Sequence, residues 1–509
     1  MLKTIVSSKL DKQAILLCSI ILLAATLRFS SLGLIEFKDD EGYHCINAWN
    51  IATGRELPIF GPRASILGTS LGPIYYYLLA IPCLISPLPE SIAIFIGLVN
   101  LAALYLCYML GTKLYNRMVG IIATALYATS PMAVIFSRRI WNPCLLPFFT
   151  ILTFYSFIKL GEKGNRKYLW VLLVSLIIAL QLHPSAFILI PVLLVLDRLY
   201  KPKIRIQNVL LGLMLTVIAL SIFLFSRFGS AGDVEGLIGT VFKGGLVQVA
   251  AALGYFIQMI GTFDILGRFF LEGTFFPATY KPLNPILQNY LEVGLYLASI
   301  SFISYIAYAG RRLNEVLLIL WNTVPLALIF IVSNVIVTYF AVHFFIIAYP
   351  SQFLIIAILL NKLWERGISP RFHLNFPKPK FFRIVSAILV LLIIGGQLLQ
   401  YANFYSHVSQ MGGIGNGSTA EQKERAVNYI IESSGGKSFK VAYASNGISA
   451  YQFLLAIRGV QPSDSARVGY VIVDPYLNVT IPDPVQKLID KSREMQQFGL
   501  AKVYTFAED

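Results

Sequence analysis

Long apolar runs follow one another along most of this chain, separated by short polar interruptions. They lie at 13–32, 71–88, 90–111, 119–136, 143–160, 168–197, 206–226, 287–309, 314–334, 341–361 and 383–402. A helix needs roughly 20 apolar residues to cross the hydrocarbon of a bilayer, and these runs meet that length. The run at 168–197 is broken by His183-Pro184. Proline removes a rung of the helical ladder, so this run reads as two short spans meeting at the dipeptide. The pattern predicts an all-α polytopic membrane protein with roughly 11–13 transmembrane helices.

The pattern changes in two places. Residues 33–70 are more polar, with helical spacing of apolar positions over 43–51, as expected of a segment lying along the interface. Residues 403–509 begin with a glycine-rich stretch at 411–418 and then alternate. An amphipathic helix is predicted over 420–433, strands over 439–444 and 468–473, a helix over 484–497 and a last strand over 501–506. The chain therefore divides into a transmembrane domain, 1–402, and a small C-terminal α/β domain, 403–509.

Charge sets the orientation. Basic clusters at 159–167, 198–205, 311–312 and 362–383 can all be cytoplasmic at once. The N-terminal lysines then lie inside, and the 33–70 loop and the C-terminal domain lie outside. One conflict remains: three apolar runs lie between 71 and 137, where both ends should be outside and an even number of crossings is required. No Ala-x-Ala cleavage site follows the first apolar run, which reads as a retained span.

Composition agrees. The chain is 56% hydrophobic and 13% charged, with a mean hydropathy of +0.69. The net charge of +15 comes from the loop clusters and, with no Arg/aromatic motif, implies no nucleic-acid partner. The five cysteines, Cys18, Cys45, Cys83, Cys107 and Cys144, have no CxxC spacing and read as small buried hydrophobes. There is no HExxH or similar spacing, so no metal site is expected.

Candidate chemistry gathers on the outer side. Asp39-Asp40-Glu41 directly follows the first span, where a lipid headgroup and an acceptor can meet; a carboxylate there is suited to take a proton from an attacking hydroxyl or amine. The alternative is a solvated helix start, since acidic residues favour helix N-termini. Tyr75 and Tyr76, in Gly72-Pro73-Ile74-Tyr75-Tyr76-Tyr77, form either a cavity wall or an aromatic belt. Arg138 and Arg139 oppose the positive-inside trend, which fits phosphate binding or pairing with the loop carboxylates. His183 and His343 lie in apolar segments near the same face, and Arg268 in an outer loop; ionisable groups at membrane depth are functional candidates.

Taken together, these motifs resemble the GT-C class of integral membrane glycosyltransferases, nearest to the aminoarabinose transferase and protein O-mannosyltransferase (glycosyltransferase family 39-like) group. The resemblance rests on Asp40-Glu41-Gly42-Tyr43 after the first span, on Pro73 with its tyrosines, on Arg138-Arg139-Ile140-Trp141-Asn142-Pro143 and on His343 to Pro350, and covers roughly residues 10–400. It departs at Asn142, where the family carries a second acidic residue, at Leu71-Gly72, where one branch has a lysine, and at His183, where that branch has another basic residue.

The resemblance implies inverting transfer from a polyprenyl-phosphate sugar to a lipid, glycan or protein acceptor at the outer face, among membrane lipids. Asp40 would be the general base, with Glu41 beside it and Asp39 as alternate. Arg138, Arg139, His183, Arg268 and His343 would bind the donor phosphate, and Tyr43, Tyr75, Tyr76 and Asn142 would line the cavity. No cofactor is expected, and no outer Asp-x-Asp motif calls for a metal. A transporter or flippase of lipid-linked sugar, and a non-catalytic scaffold, are the alternatives.

Overall fold

The computed structural model describes residues 12–64, 69–162, 166–200, 212, 285–310, 312–335, 342–366, 379–414, 417–445, 447–474 and 481–507. Arg268 and, apart from residue 212, the predicted span at 206–226 lie outside these residues.

The membrane part is helical. Its helices are α1 (Lys12–Phe29), α2 (Asp39–Ala52), α3 (Ile74–Cys83), α4 (Pro89–Leu114), α5 (Arg117–Thr129), α6 (Pro131–Phe136), α7 (Leu146–Gly161), α8 (Lys167–Leu182), α9 (Leu189–Tyr200), α10 (Pro285–Gly310), α11 (Leu313–Val335), α12 (Tyr349–Arg366) and α13 (Pro379–Met411). Among the described residues, five helices are long and apolar enough to cross a membrane: Lys12–Phe29, Pro89–Leu114, Asn142–Gly161, Leu291–Gly310 and Lys380–Met411. This is a multi-pass integral membrane protein.

Helix lengths and boundaries bear on two of the sequence readings. At ~1.5 Å per residue, the ten residues of α3 measure about 15 Å, half of a ~30 Å hydrocarbon core. Helix α3 is therefore too short to cross alone. The apolar run at 168–197 does divide at the dipeptide: α8 ends at Leu182, a 3₁₀ turn covers Pro184–Ile188, and α9 begins at Leu189.

Packing is tight and mostly apolar. Helix α7 runs along α8, α4 packs on α5 and α7, and α12 lies against α5 and α13. Several buried polar groups find partners in neighbouring carbonyls: an Arg28 terminal nitrogen donates to those of Ala24 and Ala128 at 3.2 and 3.0 Å, and Trp321 donates to that of Ile347 at 2.7 Å.

The C-terminal part begins where α13 ends, at Met411, beyond residue 402. A short antiparallel pair, β3 (Gly413–Ile414) with β4 (Gly417–Ser418), leads into α14 (Ala420–Ser433). Then come β5 (Phe439–Ser445), α15 (Ile448–Ile457), β6 (Val468–Asp474), α16 (Asp483–Asp490), β7 (Glu494–Phe498) and β8 (Ala501–Ala507). The sheet order is β5-β6-β8-β7, with β5 parallel to β6 and the other pairs antiparallel.

One expectation fails here. The helix read over 484–497 stops at Asp490, and its second half is strand β7. Strand β7 is an edge strand exposed on both faces, so it carries no alternating apolar signature, and only pairing with β8 reveals it. Helix α15, whose ten residues gave no separate signal, was not foreseen.

Candidate functional site

The site is organised by α2. Its first turn is Asp39-Asp40-Glu41, and carboxylates there are favoured by the positive end of the helix dipole. The Glu41 carboxylate accepts the backbone N–H of Lys38 at 3.1 Å, the returning half of a capping box. Glu41 is fully buried. Its other oxygen meets Arg139 Nε at 2.8 Å, and the same Nε lies 3.0 Å from Glu36. Glu36 also pairs with Lys38, and the Arg139 guanidinium sits 4.2 Å over the Trp141 ring. Two anions and two cations thus cancel, tying the start of α2 to the 137–141 turn.

Each charge responds to this arrangement. Burial works against the charge of Arg139, but Glu36 and Glu41 outweigh it and hold the guanidinium more firmly protonated. Glu36, despite its burial, is held below the usual carboxylate range by Arg139 and Lys38. Glu41 is pushed up, mainly by burial.

The three acidic residues have three different fates. Glu41 is consumed by Arg139 and the cap. Asp39 accepts the Ser449 N–H at 2.8 Å, and so caps the N-terminus of α15 from another part of the chain. Asp40 makes no hydrogen bond or ion pair among the described residues. Its carboxyl is raised, first by removal from bulk water, with Asp39 and Glu36 adding to the shift and Arg139 and Lys38 opposing it.

Asp40 faces a cavity of about 530 Å³, large enough for a sugar and part of its partner. Its wall includes Asp39, Tyr43, His44, Arg63, Trp141, Asn142, His183, His343 and Ser449. Arg63 stands on β1 (Arg63–Ala64), which pairs with β2 (Thr69–Ser70). The base of that hairpin is pinched so closely that a Cβ on Gly61 would fall 2.0 Å from the Gly72 carbonyl oxygen, which excludes a side chain there and fixes where Arg63 emerges. The His183 Nδ1 accepts the Ser185 N–H at 3.1 Å, which leaves the neutral ring's hydrogen on Nε2. The rings of His183 and His343 meet at 5.1 Å, and His343 meets Trp141 at 4.4 Å. The Asn142 amide donates to the Leu182 carbonyl and closes the C-terminus of α8.

The structure therefore brings Asp39, Asp40, Tyr43, Asn142, His183 and His343 to one cavity. It places other candidates elsewhere. Arg138 is buried behind the wall, donating to the Ser31 carbonyl and to Tyr401 Oη, with its guanidinium 4.6 Å over the Tyr405 ring. Arg139 is engaged with the carboxylates. Tyr75 and Tyr76 are buried inside the protein against His44 at 5.1 and 5.7 Å, and form no exposed belt.

Sequence reasoning missed Arg63, His44 and Ser449. The i, i+4 spacing from Asp40 marks His44 as sharing its helix face, but Ser449 carries no local signal. Among the described residues, no group of three or more His, Cys, Asp or Glu is placed to hold a metal ion.

The α15 unit is seated on the acidic helix itself. At Gly42 the two backbones touch: a Cβ there would lie 2.2 Å from the Ala450 nitrogen. Phe37 meets Phe453 edge to face at 6.1 Å, and the Ala420 N–H donates to the Ile35 carbonyl at 3.1 Å.

A polytopic helical bundle, a loop helix carrying acidic residues over a cavity, and an α/β unit beyond the last long helix give this chain the GT-C fold. Solved structures sharing it include ArnT from Cupriavidus metallidurans bound to undecaprenyl phosphate, with a TM-score of 0.56 and 11% identity over 96% of this chain and 97% of that one. The same ArnT in the apo state gives 0.55 and 10% identity, over 97% of each chain. The archaeal oligosaccharyltransferase AglB from Archaeoglobus fulgidus, in complex with an inhibitory peptide and a dolichol-phosphate, gives 0.51 and 13% identity over 91% of this chain and 69% of that one. No family model matches the chain, and no curated protein matches its sequence. At these identities the likeness establishes the fold.

Proposed function

We propose that this protein is a glycosyltransferase. It moves a sugar from a polyprenyl-phosphate donor to a lipid, glycan or protein acceptor at the extracytoplasmic face, with inversion at the anomeric carbon. The observation that carries this reading is the state of Asp40: of three adjacent carboxylates, it alone has no protein partner among the described residues, and it faces the cavity. Support for the donor class comes from the two neighbouring structures, each of which holds a polyprenyl phosphate.

Asp40 accepts the proton of an acceptor hydroxyl or amine as the freed lone pair attacks the anomeric carbon. The bond from that carbon to the phosphate oxygen breaks, and its electron pair leaves on the polyprenyl phosphate. A carboxylate whose proton affinity is raised by burial is a stronger base than one in water. Arg63, with His183 and His343, supplies positive charge and N–H donors for the departing phosphate; Arg268 stays a candidate for the same role. No step calls for a metal or cofactor. The membrane part through Met411 provides the transfer machinery, and the C-terminal unit beyond it, extracytoplasmic in this reading, completes the cavity wall through Ser449.

Release of sugar from a polyprenyl-phosphate sugar by the purified protein tests this. The Asp40→Asn variant is expected to bind donor and not to turn it over. Undiminished turnover in that variant would sink Asp40 as the base.

A further inference from the structure

We propose that His44 is a second substrate-binding residue, which holds a neutral hydroxyl of the transferred sugar beside Asp40. The inference rests on the transferase reading above and narrows its substrate class.

His44 lies four residues after Asp40 on α2, so the two side chains share one helix face about 6 Å apart at Cβ. Both line the same cavity. His44 is only 4% exposed, yet neither of its ring nitrogens has a hydrogen-bond partner among the described residues. The hydroxyls of Tyr75 and Tyr76, whose rings flank the imidazole, are also buried without a partner there. Buried polar groups are normally paired, and an unpaired one lowers stability. A phenylalanine would fill the same gap between the two tyrosines with no such penalty. The unpaired nitrogens of His44, which lines the cavity, are therefore better explained by a ligand than by packing.

The ligand's chemistry follows from the ring. Burial, helped by Arg139, lowers the His44 pKa to about 3, so the imidazole is neutral at physiological pH and presents one donor and one acceptor. A sugar hydroxyl both donates and accepts, and so satisfies either nitrogen. An ionised carboxylate could accept from the imidazole but not donate to it, and would meet Asp39 and Asp40. Hydroxylated sugars fit this wall; sugars bearing a carboxylate at that position do not.

The test is sugar release from a panel of undecaprenyl-phosphate-linked hexoses and pentoses, each with its monodeoxy and amino counterparts. The wild-type protein is expected to disfavour one deoxy position by ~100-fold in kcat/KM, because its loss leaves buried groups unpaired. In His44→Phe that preference should collapse to within a few-fold, through loss on the parent sugar and not on the deoxy one. His44→Gln, which keeps a donor and an acceptor, should restore it. Wild-type selectivity in the Phe variant overturns the assignment, and so does a Gln variant as indifferent as the Phe variant. Both variants are first checked for a monodisperse, helical state in detergent. Should the Phe variant not fold, the comparison of Gln with wild type decides alone. If the wild type releases sugar from no member of the panel, the transferase reading itself falls, and this inference with it.

Discussion

Two carboxylate sites in this molecule are built in opposite ways: Asp474 is buried, and Asp40 opens on the cavity. Asp474, at the end of β6, accepts from the Ser418 N–H and Oγ at 2.9 Å each, from Tyr451 Oη at 3.0 Å and from Lys423 Nζ. The Lys423 ammonium also lies 4.4 Å over the Tyr451 ring. The Asp474 acceptor sites are taken by these groups, so this cluster joins β4, α14, α15 and β6. Asp40 has an open cavity, no partner among the described residues and a raised proton affinity. Saturation marks a structural carboxylate; a raised, uncommitted one in a cleft marks a candidate for chemistry.

The contrast is sharpest in what substitution should cost. Asp40→Asn should lower turnover by ~10²–10⁴-fold, the usual contribution of a positioned base, while stability stays level because Asp40 has no hydrogen bond or ion pair among the described residues to lose. Unfolding and turnover measured on the same preparations check both halves. Asp474→Ala should do the reverse. It strands Lys423 in the interior and is expected to destabilise the C-terminal unit by about 3–5 kcal/mol, read as early proteolysis and a lowered unfolding transition. Replacing Lys423 and Asp474 together with apolar residues should recover much of that loss.

Arg63→Ala tests the cavity's charge. Loss of a charge-assisted contact should raise the donor KM by ~10–100-fold with little change in stability, since Arg63 is exposed at the hairpin. The pH profile tests Asp40 in the native protein. The active form is the ionised one, and burial makes it harder to ionise. The acid limb of kcat/KM should therefore lie above the ~4 of a free aspartate, with activity rising as pH passes through that limb. The smallest effect belongs to Asp39→Ala. It removes a helix cap between α2 and α15, worth about 0.5–2 kcal/mol, and should leave most turnover intact. A larger loss in Asp39→Ala than in Asp40→Asn would reverse the assignment of the two residues.

Much of the architecture was legible in the chain. Apolar runs long enough to span a bilayer cannot be stabilised any other way, so the helical membrane part follows from hydropathy alone. The break at His183-Pro184 and the limits of α14 (Ala420–Ser433) also follow from local chemistry, through proline's missing N–H and the amphipathic period. Edge strand β7 and helix α15 were not legible, because each owes its state to neighbours distant in sequence.

The acidic triplet shows where local information stops. The sequence by itself determined that three carboxylates start a helix beside a membrane span, because a helix N-terminus favours negative charge and the apolar run ends there. Which of them is free for chemistry was decided only by tertiary structure. Arg139 arrives from nearly a hundred residues away and neutralises Glu41, and Ser449 arrives from the C-terminal unit and occupies Asp39. The hydrogen bonds that commit these two groups, and leave Asp40 uncommitted, come from segments brought together by packing, so no local pattern could distinguish three adjacent acids.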